Sequence, residues 1–154
     1  MMRPLHSLLR RLAADRTGTM AIETAIVTPV LVIMALGGFE ASTMVARQSE
    51  LQSAVAEAAA IAMAAPPQNH TDVQNIRSII ESSTGLGDSN VDVYRLRKCG
   101  THNTYLYFSD SCTTGDKNTT YLYINITDTY TPRWVAFGIG SSVNYNVQRT
   151  VEIS

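Results

Sequence analysis

The sequence predicts an α+β fold in which a long apolar N-terminal helix is followed by a short helix and a small antiparallel sheet. An apolar stretch begins near Thr19, and the helical pattern that it opens continues without proline or glycine from Phe39 to Pro66-Pro67. Beyond residue 90, apolar residues alternate with polar ones. A sheet packed on the end of a long helix follows, as in the layered α+β folds.

The first part of the predicted helix is long and apolar enough to span a membrane. No charged residue occurs from Thr24 to Phe39, and the glutamates Glu23 and Glu40 flank this run. Because about 20 mostly apolar residues cross the bilayer core, we predict a transmembrane helix over residues 19–45. An extracytoplasmic continuation follows over residues 46–65, for a total length of about 70 Å.

The charge distribution predicts the orientation of this helix. Residues 1–18 form a basic leader with four arginines and one aspartate, whereas the chain from Thr19 onward has eight Lys/Arg and twelve Asp/Glu. The positive-inside rule then places the leader in the cytoplasm and the C-terminal region on the outer side of the membrane. A cleaved signal peptide ending at 41–43 is disfavoured, because the helical pattern continues past these residues.

The upper part of the helix carries an apolar stripe at helical spacing, formed by Leu51, Val55, Ala58, Ala62 and Ala65. We predict that this stripe packs on the chain's own globular region. The lower part is out of reach of that region, which favours a partner helix there, since small residues let helices approach closely.

Residues 66–154 form the predicted globular region. Thr71 and Gln74 fit a capping box, and Gly85 and Gly87 end the short helix that it opens. The apolar face of that helix comprises Val73, Ile76, Ile79 and Ile80. Strands are predicted over 91–97, 105–108, 121–127 and 143–153, with an apolar loop over 131–140 that covers one sheet face or contacts a subunit or membrane.

The two cysteines predict a disulfide rather than a metal site. Cys99 and Cys112 both fall outside the membrane in this topology, where an oxidising compartment favours disulfides. His102 is the only histidine near them, so a metal lacks the ligands that it needs.

The sequence shows no enzyme motif. It has no nucleophile motif, no glycine-rich phosphate loop and no paired catalytic carboxylates. The acidic body argues against a nucleic-acid partner. We therefore expect no enzymatic activity, no cofactor, no metal and no small-molecule substrate.

The stretch Gly18-Thr19-Met20-Ala21-Ile22-Glu23 resembles a prepilin peptidase site. In that pattern a glycine ends a basic leader and a glutamate is residue five of the mature chain. The resemblance implies cleavage between Gly18 and Thr19. It also implies that Glu23 pairs with the free amino group of a neighbouring subunit during assembly. The alternative is that Glu23 only marks the membrane interface of an uncleaved signal anchor.

The longer stretch from Gly18 to Leu31 resembles the opening of TadE-like proteins, the minor pilins or pseudopilins of the tight-adherence (Flp) pilus system. Pro29 follows Glu23 by six residues, as in that family, whereas Thr24 replaces a more usual aromatic residue. Pro29 also predicts a helix kink.

The resemblance implies a minor pilin or pseudopilin that takes part in assembly of an adhesive Tad pilus. Its partners would be a prepilin peptidase, other pilin subunits, the pilus assembly platform and the inner membrane. The alternative function is a signal-anchored extracytoplasmic binding module with no role in a pilus.

Overall fold

The computed structural model describes residues 17–100, 104–107, 112, 117–137 and 140–154. The leader up to Arg16, together with His102 and Phe108, lies outside the described residues. Internal contacts divide the chain into two units, Met1–Ser42 and Thr43–Ser154. The architecture is α+β, as predicted, with a long apolar helix, a short second helix and a four-stranded antiparallel sheet.

Helix α1 spans Thr17–Ala64. Its last hydrogen bond joins the amide of Ala65 to the carbonyl of Ile61 at 2.8 Å, and the two prolines that follow cannot continue the helix. The predicted end is correct to within one residue. Ala65, however, lies beyond the helix and is exposed, so its assignment to the buried stripe is wrong.

In the first unit, the described part of α1 is exposed almost throughout. It contains an 18-residue window with a mean hydropathy of 2.0, none of which is buried. By length and composition this segment can cross a membrane. The structure therefore confirms a helix whose length and composition allow it to span a membrane.

Helix α2 spans His70–Thr84, and its cap differs from the prediction. The N-cap is Asn69, whose side chain accepts a hydrogen bond from the amide of Asp72 at 2.9 Å. The carboxylate of Asp72 accepts in return from the amide of Asn69 at 3.3 Å. Thr71 therefore lies inside the helix, and the predicted Thr71–Gln74 box is wrong. Two overlapping patterns fit the motif, and the extended backbone at residue 69 determines which one forms.

The far end of α2 agrees better with the sequence. Gly85 caps the helix in the left-handed conformation, with φ of 69°, which glycine adopts without steric cost. Val73, Ile76 and Ile80 are buried as predicted. Ile79 is 39% exposed, so it is not part of the buried face.

The sheet comprises β1 Val91–Cys99, β2 Leu106–Tyr107, β3 Asn118–Tyr130 and β4 Val143–Glu152. Its order is β2-β1-β3-β4, and all neighbours are antiparallel. All four strands were predicted, but β3 is longer at both ends. Within the apolar loop, Pro132 is fully buried. The loop's predicted role in covering a sheet face stays a prediction.

The core of the second unit lies between one sheet face and the two helices. The predicted alternation of β3 is confirmed, because Leu122, Ile124 and Ile126 are all fully buried. The other core residues are Leu51, Val55, Ala58, Ala59, Ala62, Val73, Ile76, Ile80, Val91, Val93, Tyr145 and Val151. Full burial of one such aliphatic side chain stabilises the fold by about 1.5–3 kcal/mol.

Candidate processing and assembly site

Gly18 lies in the first turn of α1, where the fold gives no reason for a glycine. A Cβ atom added there would meet no heavy atom within 4 Å. Its φ is also outside the left-handed region that favours glycine. In the described structure, the absence of a side chain at this position therefore brings no packing gain.

Glu23 lies one helical turn after Thr19, so the two positions share a face of α1. The glutamate is exposed. Among the residues that the structure describes, no hydrogen-bond or ion-pair partner reaches its carboxylate. A carboxylate in an apolar segment is costly unless it is paired or reaches the membrane interface. The structure thus presents this charge outward, where another molecule can neutralise it.

The neighbouring threonines behave differently from Glu23. The hydroxyl of Thr24 donates to the carbonyl of Met20 at 2.8 Å, and that of Thr28 donates to the carbonyl of Thr24 at 2.6 Å. Both hydroxyls are therefore satisfied within the helix, as an apolar environment requires. Glu23 is the acidic group of this segment that the helix leaves unsatisfied.

Pro29 lies inside α1 at the predicted position. Because proline has no amide hydrogen, the carbonyl four residues earlier, that of Ala25, receives no helical hydrogen bond from it. The helix assignment continues through Pro29, and the kink stays a prediction.

Gly37 and Gly38 are a second place where α1 contains glycine without an internal reason. A Cβ atom at either position would meet nothing within 4 Å. Two residues further on, Glu40 is buried and has an interaction partner. The two glutamates that flank the apolar run are therefore not equivalent, since only Glu23 is exposed.

Residues 18–60 match the sequence model of the family described as TadE-like protein. Over this segment the chain is similar to TadE-like proteins. The match begins at Gly18 and includes Glu23, Pro29 and the two central glycines. No curated protein and no solved structure matches the chain. The TadE-like segment, together with a helix able to span a membrane, supports a membrane-associated, pilin-like protein of the Tad pilus system.

Beyond the segment that is able to span a membrane, an arginine joins helix α1 to the rest of the second unit. Arg47 donates to the carboxylate of Asp128 on β3 at 2.7 Å and to Glu50 at 3.0 Å. It also donates to the carbonyl of Thr84 at 3.0 Å, in the last turn of α2, where a cation is favourable. Nearby, the hydroxyl of Tyr145 donates to the carbonyl of Met44 at 3.1 Å.

Burial and hydrogen bonding shift the pKa of Arg47 in opposite directions. Burial by itself lowers the pKa of the guanidinium, but the hydrogen bonds to Asp128 and Glu50 outweigh this and raise it above its ordinary value. An arginine is a cation at physiological pH in any environment, and here its hydrogen bonds join α1 to α2 and β3. Its partners lie up to 81 positions away, and no local pattern signals them.

Cys99 and Cys112 form a disulfide, with Cα atoms 5.5 Å apart. This distance falls within the normal range of about 4.4–6.8 Å, and the pairing agrees with the sequence prediction. Cys99 ends β1 and is buried, so the bridge attaches the segment that precedes β3 to the edge of the core.

Proposed function

We propose that this chain is a minor pilin or pseudopilin that takes part in assembly of a Tad (Flp-type) pilus for surface adhesion. A prepilin peptidase cleaves it after Gly18, and Glu23 then neutralises the new amino group of a neighbouring subunit. The observation that carries the proposal is the family match over residues 18–60, in which Gly18 and Glu23 have no structural role within the described fold.

Gly18 supports the processing step because it has no side chain. Because no atom of the described fold crowds this position, the absence of a side chain benefits a molecule that binds from outside. A peptidase that must bring its catalytic groups to the backbone has this requirement.

Glu23 supports the assembly step through its unpaired charge. Cleavage after Gly18 creates an α-amino group on Thr19, with an ordinary pKa of about 7.7–8.0. At neutral pH much of this group is a cation. In an apolar environment a cation and a carboxylate attract strongly, so pairing between subunits removes the cost of both charges.

The same segment explains why the partners are other helices and the inner membrane. Its apolar side chains are exposed in the single chain, and the uncrowded Gly37 and Gly38 allow a second helix to approach closely. We place the N-terminus in the cytoplasm and the second unit outside, from the basic leader. No enzymatic activity, cofactor or small-molecule substrate is part of this proposal.

Mass spectrometry and N-terminal sequencing of the membrane-extracted protein test the processing step. We expect a mature chain that starts at Thr19. Gly18→Leu should prevent cleavage, whereas Gly37→Leu, at an equally uncrowded position of the same helix, should leave it unchanged.

A mature chain that starts at Met1 would contradict processing and favour the alternative, a signal-anchored binding module with no role in a pilus. A start near Ala41 would indicate signal-peptidase cleavage instead, which removes the segment that carries Glu23.

A further inference from the structure

The two edges of the sheet differ in length. β2 forms one edge and has two residues, whereas β4 forms the other and has ten. A sheet edge presents unpaired backbone amides and carbonyls, and folded proteins usually protect long edges with lysine, proline, a bulge or an inward-pointing charge. Of these, β4 has an inward-pointing charge, Arg149, on its core side opposite Ile124. β4 contains neither lysine nor proline, and its register with β3 is unbroken from Val143 to Glu152.

The hydrogen bonds show which residues of β4 face outward. The amide of Ile153 donates to the carbonyl of Thr120 at 2.9 Å. In an antiparallel pair, hydrogen-bonded and non-hydrogen-bonded positions alternate. The odd-numbered residues of β4 therefore bond β3. The outward backbone groups belong to the even-numbered residues, namely Asn144, Asn146, Gln148, Thr150 and Glu152.

The other side of β3 confirms this alternation. The amide of Gly100 donates to the carbonyl of Lys117 at 2.8 Å, which continues the β1–β3 ladder. The odd-numbered residues of β3 thus bond β1 and its even-numbered residues bond β4. The outward groups of β4 are spaced regularly, as an added strand requires.

A groove of about 470 Å³ runs beside this edge, between β4 and α1. The helix side is formed by Ser49, Gln52, Ser53, Val55 and Ala56, and the strand side by Val147, Gln148 and Arg149. A strand added to β4 lies about 4.7–4.9 Å from it. Alternate side chains of that strand then point into this groove.

Arg149 gives the groove a positive charge. It lies on the core side of β4, opposite Ile124, yet it is exposed. Among the described residues it has no hydrogen-bond or ion-pair partner. The side chains that line the groove with it are uncharged, so a carboxylate is the group that this position favours. Arg and carboxylate also form strong, charge-assisted hydrogen bonds.

We propose that the outer edge of β4, which no strand of the described residues covers, docks an extended segment of another polypeptide, which adds as a fifth strand and places a carboxylate against Arg149. Backbone hydrogen bonds supply the affinity and the groove selects the side chains, as in other cases of strand addition. Self-pairing of two β4 strands uses the same edge but provides no carboxylate on that face, since the core-side residues of β4 are Val143, Tyr145, Val147, Arg149 and Val151.

Site-specific photocross-linking of the full-length protein in its native membranes tests this proposal. A benzoyl-phenylalanine at Gln148 reports on the β4 edge, and the same group at Tyr107 reports on the β2 edge as a control. We expect at least about fivefold more product from Gln148, with sequencing of the cross-linked peptide showing Asp or Glu within three residues of the attachment point.

Charge variants then test the role of Arg149. Arg149→Glu should reduce the product from Gln148 roughly tenfold, which corresponds to about 1.4 kcal/mol, whereas Arg149→Lys should retain more than half of it. Lys117→Glu, an equal charge reversal at an exposed residue away from the edge, should have no effect. An intact Cys99–Cys112 disulfide and unchanged thermal unfolding verify the fold of each variant.

Equal cross-linking from the two edges, a product with a second copy of this chain or with lipid, or full cross-linking by Arg149→Glu would overturn the proposal. These outcomes are independent of the processing step. If the mature chain starts at Thr19 and the edge fails to cross-link, only the docking site is wrong.

Discussion

Helix α1 contains two apolar regions that differ in what covers them. Leu31 in the first unit is 59% exposed, whereas Leu51 in the second unit is fully buried against the chain's own sheet and second helix. Similar side chains on one helix thus have different partners. The second unit satisfies its apolar surface internally, and the first requires lipid or other helices to do so. Substitutions in the first unit should therefore affect assembly, and those in the second should affect folding.

The largest difference should appear at Glu23. We expect Glu23→Ala to abolish pilus assembly in a strain without a wild-type copy, because a buried amino group of the neighbouring subunit loses its counter-charge. The thermal unfolding of the second unit should not change. Pilus counts by electron microscopy and circular dichroism of the purified protein provide the two measurements.

Glu57 offers the matched control for that variant. It is an exposed glutamate on the same helix, but in the second unit, and Glu57→Ala should leave assembly intact. Normal pili on a Glu23→Ala strain would contradict the assembly role of this residue.

Leu51 and Leu31 test whether folding stability depends on the second unit rather than on the first. Leu51→Ala should lower the free energy of unfolding by about 2–5 kcal/mol, since it leaves a cavity in a packed core. Leu31→Ala should change it by less than about 0.5 kcal/mol, as expected for an exposed site. Denaturant unfolding in detergent measures both, and equal losses would show that the two regions of α1 do not differ in the proposed way.

The disulfide is a second feature that should matter only to the folded unit. Replacement of both Cys99 and Cys112 by alanine should cost about 3 kcal/mol in the chain-entropy model for a loop of about 15 residues. We expect limited proteolysis to cut first between these two positions, while α1 remains uncut. Labelling of free thiols at both residues in unreduced protein from the periplasm would show that the bridge does not form.

The sequence predicted those parts of the fold that depend on local pattern. The buried alternation of Leu122, Ile124 and Ile126 follows from a period of two, and the end of α1 follows from two prolines. The predicted capping box was wrong because two overlapping motifs compete within six residues, 69–74, and only backbone geometry at Asn69 distinguishes them. Periodicity also overextended the buried face of α2 to Ile79.

Features that depend on distant contacts could not be predicted. Arg47 binds Asp128 and Thr84, which are brought to it by the packing of β3 and α2. In the sequence, Arg149 is a charged residue that interrupts the apolar alternation of a strand. Only the structure, in which β4 lies at the sheet edge, shows that this residue lines a groove. The N-terminal part of α1, with Gly18 and Glu23, is the opposite case. The sequence identifies these residues through their resemblance to a family motif, whereas the described fold gives them no structural role.

The smallest effect that we expect concerns Tyr145, whose hydroxyl donates to the carbonyl of Met44. Tyr145→Phe keeps the ring but removes this bond, and should cost about 0.5–1.5 kcal/mol at pH 7. Burial raises the pKa of the Tyr145 phenol, and the nearby Tyr130 and Asp128 raise it further, although Arg47 opposes them. Because the folded pKa is above the unfolded value of about 10, the contribution of the neutral phenol is complete below pH 10 and is lost as the pH rises through the folded pKa. The stability difference between wild type and Tyr145→Phe should therefore shrink above pH 10 in thermal unfolding measured against pH. A difference that stays constant up to pH 11 would show that this hydroxyl does not stabilise the second unit through its proton.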